Sequence, residues 1–353
     1  MRWWAASRPR RRTEWPREAR DLVAILALGV LLAAFLLGLV LGGPYIQLLR
    51  RLRMGKQVRR EGPPSHLITK QGMVTMGGLL FIAVVAVLWI IMLVALPQHE
   101  RDVFVPQTIV PIGTLIAVGI LGAIDDYVNV VYGFGIRGRH KLVWQTLVAI
   151  AAAVYIQKHF GVTGVFVPLV GEWEIGATAF VLLAVFAIVA MSNGVNLTDG
   201  LDGLAGGTAV FAFLSFAFIA AAHRPQFTWL VVFCAAMVGA LLAYLWYNVH
   251  PADFMMGDVG SLALGATLTT IALTTGFILL LPIAGVIFVA ETVSVVLQVG
   301  SFKLRGKRIF RMSPLHNHFE LIGWPEEKTT IRFWLIGALA AIVAAILAFA
   351  TPQ

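Results

Sequence analysis

Long apolar runs, recurring from one end of the chain to the other, constrain this sequence more than any other feature. A helix that crosses a bilayer needs about 20 mostly apolar residues, because each residue rises about 1.5 Å through a hydrocarbon layer about 30 Å thick. Ten runs approach that length: 22–41, 75–96, 108–124, 142–156, 177–192, 203–222, 229–247, 259–275, 277–299 and 331–350. The fourth is short, and the eighth and ninth are divided only by Gly276 and Pro282. Only 13% of the 353 residues are charged and 59% are hydrophobic. A soluble domain carries about 25% charged residues, so this chain has too few to cover a wet surface. Runs of helical length exclude a transmembrane β-barrel, whose strands alternate over about ten residues. The single cysteine, Cys234, excludes a disulfide scaffold. The sequence therefore predicts an all-α integral membrane protein with about ten transmembrane helices. A basic tail, 1–21, precedes one polytopic domain, 22–353.

The loops after the odd-numbered runs hold most of the lysine and arginine, whereas those on the other face hold only Arg101, Lys158 and Arg224. The positive-inside bias makes the basic face cytoplasmic and places both termini outside. The tail opposes this with seven arginines, but the internal loops repeat one answer. A net charge of +9 in membrane-flanking loops points to lipid headgroups and anionic substrates, with no nucleic acid partner. GFGIRG, 133–138, has glycine spacing like a dinucleotide site, but no strand precedes it.

Carboxylates are scarce, yet Asp125, Asp126, Asp199, Asp202, Asp253 and Asp258 all fall at ends of the cytoplasmic loops. Ionisable groups beside apolar helices are costly and need a reason to be there. The adjacent pair Asp125-Asp126 suggests a shared cation or proton. Asn193, Asn196, Asp199 and Asp202 recur every three residues, which predicts neighbours on a helix surface, within a glycine-rich stretch that lets backbone approach a ligand. Asp258 precedes an apolar helix and suits a cap or a metal ligand, while Asp253 is expected to face solvent. His316 and His318 would face one way only in an extended segment, and phosphate or sugar hydrogen bonding suits them better than zinc. Lys70 and Lys141 are candidate phosphate-pairing cations. Glu291, inside the ninth run, should face protein or water, with no role assigned by the sequence. An acidic, metal-ready cluster ringed by cations at a membrane edge suits an enzyme joining a diphosphate-bearing substrate to a lipid phosphate.

Over about 55–332 the motifs GPPSHLITKQGMVTMGGLL, GAIDDY, NGVNLTDGLDGLAGG, NVHPADFMMGDVGSLALG and the block from Glu291 through PLHNHFE to Trp324 carry a resemblance. The sequence resembles the phospho-N-acetylmuramoyl-pentapeptide transferase (MraY) family, within the polyprenyl-phosphate N-acetylhexosamine-1-phosphate transferase superfamily. The resemblance implies transfer of phospho-MurNAc-pentapeptide from UDP-MurNAc-pentapeptide to undecaprenyl phosphate, giving lipid I and UMP. It also implies Mg²⁺ dependence, a homodimer and a multi-pass location in the bacterial inner membrane. It makes Asp258 the Mg²⁺ ligand, Asp125 the base or nucleophile, and Asp126 a support for metal and phosphates. Lys141 would pair with phosphate, and Lys70, Asn193 and Asp202 would border the nucleoside. Asn196, Asp199, Asn248, His316 and His318 complete the substrate side.

Three positions depart from the family pattern: Asn129 for a lysine, Met255 for an aromatic with Phe254 one step away, and Asn317 for the middle of three histidines. Direct attack by the lipid phosphate is the expected mechanism, since a phosphomonoester is largely dianionic at neutral pH. A covalent phospho-Asp125 intermediate is the competing route. The alternative functions are a sister GlcNAc-1-phosphate transferase and, from another class, a secondary transporter, which would spread its carboxylates near the bilayer midplane.

Overall fold

The computed structural model describes residues 17–55, 73–223 and 227–350. Among them the ten apolar runs correspond to ten long helices, the ninth of which takes up only the part of its run from Val286 on: α1 Arg17–Arg51, α2 Gly78–Ala95, α3 Gln98–Tyr132, α4 Gly138–Phe160, α5 Ala177–Thr198, α6 Leu204–His223, α7 Thr228–Asn248, α8 Gly257–Thr275, α10 Val286–Arg305 and α12 Glu326–Ala350. Two short helices, α9 Leu281–Ala284 and α11 Leu315–Leu321, lie between α8 and α12. The fourth helix, at 23 residues, is longer than its apolar run suggested. The uncharged eighth and ninth runs separate at Gly276, which caps α8 in the left-handed region at φ 82, and the next long helix begins only at Val286.

Eight of these helices are long and apolar enough to cross a membrane. The other two are α4, which carries Arg139, Lys141 and Lys158 near its ends, and α8. From Gly257 to Thr275 every residue of α8 except the half-buried Asp258 is buried, and α3, α5 and α2 pack around it. The contacts use small residues, as closely packed membrane helices do when no water drives them together. A Cβ at Gly78 would collide with Gly260, and one at Gly122 would collide with the backbone of Asp258 and Val259. Four threonine hydroxyls of α8 bond to carbonyls of their own helix, Thr269 to Gly265 at 2.8 Å, Thr270 to Thr267 at 2.7 Å, Thr274 to Thr270 at 2.8 Å and Thr275 to Ala272 at 3.0 Å. These four buried hydroxyls are thus satisfied without water, whereas that of Thr267 has no partner among the described residues.

A short hairpin, β1 Gly164–Val167 and β2 Gly171–Glu174, joins α4 to α5, in a register that pairs Val165 with Trp173. Nothing in the sequence pattern predicted it. The Phe166 N–H donates to the Gly276 carbonyl at 3.1 Å, and the rings of Phe166 and Phe277 lie 4.4 Å apart. The hairpin therefore covers the C-terminal end of α8. Asp258 lies at the other end, about 28 Å away along a 19-residue helix, close to the thickness of a hydrocarbon layer.

Candidate active site

Asp125 and Asp126, both buried, close the apolar part of α3 and serve different partners. Gly133, at φ 77, ends the helix and turns the chain back over it. That return brings the Ile136 N–H to Asp125 Oδ1 at 2.5 Å and places Lys141 in the first turn of α4. Lys141 Nζ donates to Asp125 Oδ2 and to Asp258 Oδ2, each at 2.7 Å. Asp258 Oδ1 accepts from Asn196 Nδ2 at 3.0 Å, and the same amide donates to Ser261 Oγ at 2.8 Å. Residues from four helices, separated by up to 133 positions, thus converge on one ammonium and two carboxylates.

Asp126 points away from that cation. Its Oδ1 accepts from the Asp258 N–H and its Oδ2 from the Val259 N–H, both at 3.1 Å. These are N-terminal amides of α8 that the helix itself cannot satisfy, and the positive end of the helix favours a carboxylate there. The bend before Asp258 needs Gly257: its φ is 77, and the space for a Cβ is filled by the Asp126 carboxylate and the Thr75 hydroxyl. Asp126 therefore fixes where Asp258 sits.

Two carboxylates sharing one cation repel each other strongly if it is removed. Because both lie 2.7 Å from a single nitrogen, both can also reach a single small cation, and their oxygens are the donors that a hard divalent ion takes. A second acidic group lies where α6, α7 and α12 meet. His250 Nδ1 is 2.9 Å from Asp202 Oδ2, the Ala252 N–H donates to the same oxygen at 3.2 Å, and the Asp202 N–H donates to Glu326 Oε1 at 2.6 Å. Asp202, His250 and Glu326 could together hold a metal. Asn248 braces this group, accepting from the Gly203 N–H at 3.0 Å and donating to the Phe254 carbonyl at 2.8 Å.

The three-residue spacing of Asn193, Asn196, Asp199 and Asp202 does not place all four on one helix surface, because α5 ends at Thr198. Asn193 donates to Gln145 Oε1 at 2.9 Å within the α4–α5 contact, Asn196 reaches Asp258, and Asp199 and Asp202 fall in the turn beyond. His316 and His318 lie on α11, not on an extended segment, so they face different ways. His316 is buried against Glu291, whereas His318 Nδ1 accepts from the Arg311 N–H at 3.2 Å. Asp253 is exposed as expected and pairs with Arg50 at 3.1 Å. Phe254 does not replace the missing aromatic, because it is fully buried beside Tyr244 and Tyr247. Lys70 lies outside the described residues, as does residues 1–16 of the tail. Sequence reasoning missed Ser261, Gln145, His250 and Glu326. Ser261, one turn after Asp258, was the only one with a spacing signal.

Residues 108–276 match the sequence profile of glycosyl transferase family 4. That segment begins in α3, ends at the cap of α8, and contains Asp125, Lys141, Asn196 and Asp258. A polytopic helical membrane protein with this polar centre at one end of the bundle is thus placed among membrane transferases. The chain is 40% identical to the phospho-N-acetylmuramoyl-pentapeptide-transferase of Chloroflexus aurantiacus over 344 residues, covering 93% of this chain and 91% of that protein. Identity to the enzymes of the same name from Bacillus velezensis and Bacillus subtilis is 43% and 42% over 317 residues, covering 89% of this chain and 95% of each relative. The chain belongs to the phospho-N-acetylmuramoyl-pentapeptide-transferase family.

Proposed function

We propose that this chain transfers phospho-MurNAc-pentapeptide from UDP-MurNAc-pentapeptide to undecaprenyl phosphate in the bacterial inner membrane, releasing UMP and lipid I for peptidoglycan synthesis. The observation that carries this reading is the convergence of Asp125 and Asp258 on Lys141 at the end of α8. Anionic phosphates need cations at such a place, and Lys141 supplies one directly. Mg²⁺ held by Asp258 and Asp125 would neutralise phosphate charge and stabilise the departing UMP. Asp126 sets the start of α8, and Asn196 fixes the rotation of the Asp258 carboxylate.

An oxygen of the lipid phosphate forms the new bond to the β-phosphorus as the bond to the UMP oxygen breaks. Both Asp125 oxygens already accept hydrogen bonds, from Ile136 and Lys141, which supports this direct attack over a phospho-Asp125 intermediate. Carboxylates gathered at one helix end also favour a boundary enzyme over a transporter. Lys70, Asp199, Asp202, Asn193, Asn248, His316 and His318 are assigned to the substrate side, and a homodimer is the expected assembly. The test is UMP release by purified protein given Mg²⁺, UDP-MurNAc-pentapeptide and undecaprenyl phosphate. Release should be absent without Mg²⁺ and lost in Asp258→Ala and Asp125→Asn proteins that remain folded. Full turnover by Asp258→Ala would refute the metal assignment.

A further inference from the structure

Glu291 sits inside the apolar run of α10 with no exposure at all, and every side-chain hydrogen bond and ion pair found for it among the described residues is with His316. The His316 N–H donates to the two carboxylate oxygens at 3.2 and 3.4 Å, and the ring Nδ1 lies 3.2 Å from Oε1, an ion-pair distance at which this buried nitrogen makes no hydrogen bond among the described residues. The opposite edge of the ring, Nε2, fills the space that a Cβ at Gly200 would need. Gly200 belongs to the turn between α5 and α6 that carries Asp199 and Asp202. One imidazole is therefore held between a carboxylate of α10 and the backbone of the glycine-rich turn.

We propose that Glu291 is a positioning residue that fixes the rotation of the His316 ring, holding Nδ1 toward α10 and presenting Nε2 at the Asp199–Asp202 turn. The proposal rests on the transferase reading above, which puts that turn and His316 beside the substrate. Holding the backbone alone does not account for Glu291. A glutamine oxygen would accept the same N–H without burying a charge in a membrane helix, which is costly. Other side chains of α10 already tie down the loop: Gln298 Oε1 accepts from the Ile309 and Phe310 N–H groups at 2.9 and 3.0 Å, and Ser301 Oγ donates to the Lys307 carbonyl at 2.8 Å. Among the described residues only Glu291 forms an ion-pair contact with the ring. His318, two residues on, has a backbone amide at its Nδ1 and no such carboxylate. A carboxylate against one ring nitrogen is the usual means by which proteins set an imidazole's tautomer and orientation.

The experiment compares UMP release by the full-length wild type, Glu291→Gln, His316→Gln and the double variant. Glu291→Gln should lose about 10–100-fold in kcat, the usual effect of removing a group that orients a functional side chain. The double variant should be no slower than His316→Gln alone, because Glu291 acts only through that ring. Wild-type kcat in Glu291→Gln, or a double loss equal to the product of the single losses, would overturn the proposal. A second measurement does not depend on activity. In ¹⁵N-histidine spectra of the wild type, the signal missing from His316→Gln should report one tautomer, protonated at Nδ1. A signal averaged between tautomers would overturn the proposal whatever the turnover of the variants, with His316→Asn serving the same assignment where His316→Gln does not fold. Wild-type protein that releases no UMP would instead refute the transferase reading, leaving the spectra to decide on Glu291.

Discussion

Gly122→Ala tests whether the site depends on how closely α3 and α8 approach. The added methyl touches no polar side chain of the site, yet it would overlap the Asp258 carbonyl and the Val259 Cα. A carbon normally comes no nearer to a carbonyl oxygen than about 3.3 Å, so the helices must part by roughly 1 Å. Such overpacking costs about 1–3 kcal/mol. It also moves Asp258 away from Asp125, which lies one turn beyond Gly122 on α3 and shares Lys141 with it. A displacement near 1 Å at a reacting centre can cost about 10²-fold in rate. Alanine is the better helix former by about 1 kcal/mol, so any loss must come from packing. Gly113→Ala is the control, since a Cβ there meets no atom within 4 Å. UMP release should fall about 100-fold in Gly122→Ala and be unchanged in Gly113→Ala. Wild-type turnover in Gly122→Ala, or equal damage in both, would refute the argument.

Lys141→Gln keeps a hydrogen-bond donor but removes the cation shared by Asp125 and Asp258; UMP release should fall by about 10²–10³-fold, as when a donor to transition-state charge is deleted, and a fall below tenfold would contradict the assigned role. In a Cys234→Ser background, Leu169→Cys in the hairpin should react with an impermeant maleimide from outside intact cells and Lys307→Cys only after lysis. Labelling of both from one side would overturn the topology.

Hydropathy located the long helices because a run of about 20 apolar residues has few other uses, and loop parity gathered the aspartates at one end before any contact was known. The partnerships within that end were less legible. Lys141 reads like any positive-inside lysine, and only folding shows it between Asp125 and an Asp258 that lies 117 residues further along the chain. The same holds for Asp202 and Glu326, which meet across 124 residues with no local pattern to announce them. The two histidines face different ways for a local reason. Asn317 and its neighbours form a helical turn after Pro314, where residues two apart point to different sides. The hairpin escaped notice because its four-residue strands lie in a loop whose apolar residues lack clear alternation.

The two long helices that fall short of membrane-grade hydropathy, α4 and α8, are the ones that deliver Lys141 and Asp258. With five threonines and an aspartate in 19 residues, α8 has little tendency to partition into lipid by itself. For α8 the neighbours cover every residue but Asp258, so its place in the bilayer depends on the closed bundle. A nascent chain whose bundle has not yet assembled therefore does not hold Lys141 and Asp258 together, and the polar centre exists only in the packed protein.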